Sequence, residues 1–138
     1  MTHSFVLKTI GKFAKKKHIK VYFDCANRKP NIGETDGSRI FFGPFSNNEH
    51  LLIAFFHAYA HCVLGNKIPG HVEGFHWNNT STMQYEIQIT MAGLEFARKH
   101  NILFSDKAVR WLLKENFKYE ESTATSRSIT NAIKEHKT

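Results

Sequence analysis

SNNEHLLIAFFHAYAHCVLG, Ser46 to Gly65, is the stretch on which the reading of the whole chain turns. Ser46 is placed to cap a helix, and Glu49 stands three residues on, where a capping box wants an acid. Gly65 suits the left-handed position that closes a helix. Between these ends almost every side chain is apolar, which predicts a helix buried around most of its circumference. His57 and His61 interrupt the run. Four residues apart, they share one face a single turn apart, the spacing at which two imidazoles grip one metal ion. Taken alone, the pair is also compatible with two core histidines satisfied by hydrogen bonds.

The five residues His57-Ala58-Tyr59-Ala60-His61 come within one position of H-E-x-x-H, the zinc-metallopeptidase signature. Both ligand positions are kept. The glutamate that would act as general base is replaced by Ala58, which can neither accept nor deliver a proton.

Working outward, Ser4 to about Lys17 reads as an amphipathic helix. Phe5, Leu7, Ile10, Phe13 and Ala14 lie on its apolar side, and lysines on the other. Ile19 to Cys25 is β-branched and aromatic and reads as a strand. Asn27 to Gly37 is rich in turn formers and reads as a loop. Ser38 to Gly43 reads as a second strand, paired antiparallel with the first in a β-hairpin. After the His-bearing helix come a loop holding His71, His76 and Trp77 and a second long helix, Ser81 to His100, with Ser81 and Gln84 as another capping box. Tyr85, Ile89, Ala92 and Phe96 form its apolar line, beside Ile87, Met91 and Leu94. Glu86, Thr90, Gly93 and Ala97 form a separate face, small above the glutamate, that lets another helix come close. Ser105 caps a third helix, Asp106 to about Phe117. The elements predict an α+β class: one domain over residues 1–120, then a Ser/Thr-rich tail or short helix over 121–138.

Two histidines need a third protein ligand, with the fourth position left open. Glu86 fits best, because a helix–loop–helix return brings its small-residue face back beside the first helix; His76 and His71 are the rivals. If the site polarises a carbonyl, His76, His71 and Tyr85 are candidates to stabilise the oxyanion.

At 138 residues the chain is long enough for one real core. Its longest apolar run, Leu51 to Leu64, is too short to span a membrane, and the N-terminus lacks the apolar segment of a secretory signal. Cys25 and Cys62, without metal-type spacing, suggest reduced thiols and a cytoplasmic location. The net charge is +7, concentrated in the first thirty residues, where eight Lys and Arg face only Asp24. A basic patch of this kind admits nucleic acid. A solvated helix face is the favoured account, since the sequence shows no aromatic interleaving, so a nucleic-acid role is not favoured.

The order of helix, hairpin, HExxH-like helix, loop and Glu-bearing helix resembles the small gluzincin-type metallopeptidases of the ImmA/IrrE class, often carried by phages and mobile elements. FFHAYAHCVLG and YEIQITMAGLEFA carry the likeness, which covers about Ile19 to His100. The resemblance implies a zincin-like fold with Zn²⁺ on His57, His61 and Glu86. It implies cleavage of a cytosolic, regulatory protein whose peptide adds as an extra strand along Ser38 to Gly43. Ala58 departs from the family pattern. The chain is then either an inactive Glu-to-Ala form of a zinc endopeptidase or a natural pseudo-protease that binds a protein or nucleic-acid partner without cutting it.

Overall fold

A computed structural model describes residues 1–64 and 80–116, together with Asn131, Lys134 and His136. The chain runs α1 (His3–Lys16), β1 (Lys20–Tyr22), β2 (Gly33–Thr35), β3 (Arg39–Phe42), α2 (Asn48–Leu64), α3 (Thr80–Lys99) and α4 (Asp106–Trp111), which continues into a π-helical turn at Leu112–Asn116. The fold is α+β, as the order of patterns predicts.

In α1 the Thr2 hydroxyl accepts from the Phe5 N–H at 3.1 Å, capping the first turn. Val6, Ile10, Phe13 and Ala14 are buried. Phe5 and Leu7, expected on the apolar side, are exposed instead: Val6 holds the core position, one residue round the helix from each. The helix ends with His18 in the left-handed region at φ 56. The Ile19 N–H turns back to the Ala14 carbonyl at 2.9 Å, which aims the chain into β1.

The sheet departs from the predicted hairpin. Its strand order is β1-β3-β2. β1 pairs parallel with β3, Lys20 beside Arg39 and Tyr22 beside Phe41. The antiparallel partner of β3 is β2, drawn from the segment that reads as loop. The hairpin turn between them is held by Asp36, whose carboxylate accepts from the backbone N–H of Ser38 at 3.1 Å and of Arg39 at 2.8 Å. This turn chemistry closes β2 onto β3, leaving β1 to pair on the other side. As the central strand, β3 has β1 on one edge and β2 on the other, so a peptide adding along Ser38 to Gly43 finds no free edge over Arg39–Phe42; among the described residues the outer edges belong to β1 and β2.

Helix α2 lies at the centre. Every residue from Leu51 to Ala60 is buried. Ile40 and Phe42 from the inner sheet face join Phe13, Phe55, Phe56, Tyr59 and Phe104 in one core. The predicted cap at Ser46 sits one residue early. Asn47 takes the role, its side chain accepting from the His50 N–H at 2.9 Å. Glu49 does not complete a capping box. It reaches the start of α4, accepting from the Ser105 N–H at 2.9 Å and the Ser105 hydroxyl at 2.8 Å. Ser105 caps α4 as expected, its oxygen accepting from the Ala108 N–H at 3.1 Å.

Helices α2 and α3 pack closely against each other. The face of α3 turned to α2 holds Glu86, Thr90, Gly93 and Ala97, the small-residue line, all buried. A Cβ at Gly93 would stand 2.7 Å from the carbonyl oxygen of Phe56, so only glycine admits this spacing. Of the more apolar line, Ile89 is fully buried, and Ala92 and Phe96 are half-buried. Near the C-terminus, His136 is buried against Phe104, whose backbone N–H it accepts at 2.8 Å. The rest of the predicted tail lies outside the described residues. Among them, no helix is long and apolar enough to cross a membrane.

Candidate metal centre

The face-to-face contact of α2 and α3 brings three side chains to one point. His57 and His61 project from successive turns of α2, and Glu86 from the first half of α3. The two imidazole Nε2 atoms are 3.1 Å apart. The Glu86 Oε2 atom lies 3.0 Å from that of His61 and 3.2 Å from that of His57. Three ligands of a tetrahedral zinc, at bonds of about 2.0–2.1 Å, stand about 3.3 Å from one another. The triangle is therefore close to the size such an ion needs. The group can hold a metal ion.

Burial sharpens the chemistry. Glu86 is 2% exposed and His57 7%, and His61 lies at the wetter end of the group, its side chain 19% exposed. Burial alone would raise the Glu86 carboxyl, but hydrogen bonds and charge interactions with His57 and His61 outweigh it and pull it to about 2. Burial also pushes His57 below its ordinary value, against the pull of Glu86. The site thus favours an ionised carboxylate beside a neutral imidazole, the protonation states a metal requires. A buried carboxylate is costly unless a positive centre faces it, and a cation among the three atoms supplies one.

Thr90 completes the arrangement. Its Oγ1 lies 2.9 Å from His57 Nδ1, and the residue is 1% exposed. With the Nδ1 proton donated to this hydroxyl, the lone pair of Nε2 turns toward His61 and Glu86. By sequence, Thr90 stands only among the small residues of its helix. The signal available was its position four residues after Glu86, on the same face.

Ala58 is buried, 4% exposed, in the turn of α2 between the two histidines. No other His, Cys, Asp or Glu among the described residues joins the three-residue group. His71 and His76 lie outside the described residues, as does the side chain of Tyr85, so their expected roles as ligand or oxyanion partner stand apart from this geometry. Beside the site, Cys62 follows His61 on α2 and meets Thr35 of β2, Sγ to Oγ1 at 3.2 Å. Strand β2, an edge strand among the described residues, is thereby fastened to the helix that carries the histidines.

No family model, curated protein or solved structure matches the chain.

Proposed function

We propose that this chain is a zinc-binding domain built on the plan of a zinc endopeptidase, with the proton-transferring residue absent. The observation that carries the reading is the buried triangle of His57, His61 and Glu86. Two imidazoles and one carboxylate, the ligands that the described residues supply, are the protein donor set of catalytic rather than structural zinc, which keeps a fourth position open. Zinc, when bound, supplies a Lewis acid at that open position.

The chain's own residues divide the remaining work unevenly. His57, His61 and Glu86 hold the ion, and Thr90 fixes the ring of His57. Ala58 stands where a glutamate would take a proton from the attacking water and pass it to the departing amine. Without that group, about 10²–10⁴-fold of rate is lost, while metal and peptide binding remain. The peptide's place is the outer edge of β2, unpaired among the described residues, which the Thr35–Cys62 contact holds beside the histidine helix. Cys25 and Cys62 are both free thiols, which fits a cytosolic target.

The test has two arms. Elemental analysis of protein expressed with zinc should find about one ion per chain, lost with His57→Ala or His61→Ala. Ala58→Glu should then produce zinc-dependent fragments of a target in a cytosolic lysate. Absence of metal after zinc supplementation sinks the proposal. Zinc without any cleavage by the Glu form, together with capture of a specific protein by the Ala form, replaces it with a binding module that does not cut.

A further inference from the structure

The parallel pairing of β1 with β3 assembles a surface that the sequence alone does not display. On the face of the sheet turned away from α2 lie Lys20 and Tyr22 from β1, Arg39 and Phe41 from β3, and Glu34 from β2. The Tyr22 and Phe41 rings are stacked, 5.2 Å between centroids and 9° from parallel. Tyr22 is 43% exposed. The guanidinium groups of Arg28 and Arg39 each stand 5.3 Å from the Phe41 centroid. Aromatic and cationic groups far apart in the chain are thus interleaved on one plane.

The register also sets Lys20 directly beside Arg39. Arg39 is partly matched by Asp36, and a phosphate lying across the two side chains meets both positive charges. Two acids face the same region. Asp36 is committed to the hairpin turn and to Arg39, at 2.7 Å. Glu34, its side chain 57% exposed, pairs with the half-buried Arg28 at 3.1 Å. The segments that lead into β1 and from β1 to β2 carry the exposed Lys17 and Lys29.

We propose that this outer face is a stacking platform for single-stranded nucleic acid. The flat, partly open aromatic pair suits an unpaired base, since every base has a face to stack and the contact tolerates sequence. The cations beside it suit the phosphates that follow. A duplex hides its bases in its own stack and gains only the charge term. An acidic peptide gains only that same term. The platform lies on the opposite side of the sheet from α2 and its histidines, so its ligand binds with or without metal.

Fluorescence anisotropy of a labelled oligo-dT of about 12 nucleotides, within the site sizes common for such platforms, tests this with chelator present. The full chain should bind it, more weakly as salt rises. Tyr22→Ala should weaken binding about tenfold and Tyr22→Phe should not, because stacking and not the hydroxyl is at work. Lys20→Ala should lower the salt slope by about one. Glu34→Gln should tighten binding by removing a repelled charge. Thermal melts of each variant separate a lost contact from a lost fold, and Tyr22→Leu, which keeps bulk without a flat ring, repeats the test should Tyr22→Ala melt early. The proposal is overturned if the oligonucleotide fails to bind at low salt. It is equally overturned if folded Tyr22→Ala and Tyr22→Leu bind like the parent, or if a duplex or polyglutamate competes as well as the single strand.

Discussion

Replacing Gly93 by alanine would separate the two helices that hold the candidate metal centre. The new methyl group would sit 2.7 Å from the Phe56 carbonyl oxygen, 2.9 Å from its carbon and 3.2 Å from the His57 nitrogen. All three are backbone atoms in the middle of a buried helix and cannot rotate aside. Restoring ordinary contact near 3.4 Å requires α2 and α3 to part by roughly 0.7 Å at this point. Overpacking of this kind costs about 1–3 kcal/mol, and alanine returns about 1 kcal/mol in helix propensity. The net loss of stability should therefore lie between about 0 and 2 kcal/mol. Metal binding is the more sensitive readout. Glu86 precedes Gly93 by two helical turns, about 10 Å along the axis, so part of the separation reaches its carboxylate. Metal sites tolerate about 0.2 Å, and zinc affinity should fall about tenfold or more. Urea denaturation of the metal-free protein and zinc titration against a competing chelator give the two numbers. Gly11→Ala is the control: nothing lies within 4 Å of a Cβ there, so it should gain about 1 kcal/mol and leave zinc untouched. If Gly93→Ala behaves like that control, the close approach of α3 to α2 is not what sets the ligand triangle.

Thr90→Val keeps shape and removes the partner of His57 Nδ1; zinc affinity should fall about 10–100-fold, Thr90→Ser should retain most of it, and equal affinity in the valine and parent proteins would refute the orienting role. The metal-free protein should lose stability on acidification in two stages. His57 lies below its ordinary 6.5, so the unfolded chain takes up that proton first, and the stability of the neutral ring is present above about pH 6.5 and lost as pH falls. Glu86, at about 2 against an ordinary 4.5, adds a second loss as pH falls from about 4.5 toward 2. Urea melts across this range check it, and a midpoint unchanged from about pH 7 to 5 would refute the burial of a neutral His57.

Much of the site is legible in residue spacing, because helical geometry is local. His57 and His61 share a face by periodicity, and Glu86 is found by asking which polar residue interrupts a small-residue line. Thr90 escapes, since a hydroxyl among small residues reads as a space-filler until its partner is known. The sheet fails for a different reason. β2 is three residues long, and its first, Gly33, reads as a turn former. A Cβ there would stand 2.7 Å from the Phe42 ring, so the glycine marks a close approach and not a bend. Pairing direction is likewise a tertiary choice: Asp36 closes the β2–β3 turn through atoms whose geometry the letters do not encode. Glu49 fits a capping box by spacing, yet the start of α4 offers it two donors.

The central position of α2 has a consequence for the order in which the molecule opens. This helix touches α1, β2, β3, α3, α4 and the π-helical turn, so none of its neighbours can be peeled away together with it as a separate unit. Amides in the middle of α2 should exchange with deuterium only when the whole domain unfolds, whereas β1 and the first turn of α1 should exchange through smaller openings. The backbone that carries His57 then has no partly open state of its own, and bound metal raises the cost of its exposure by the full binding free energy.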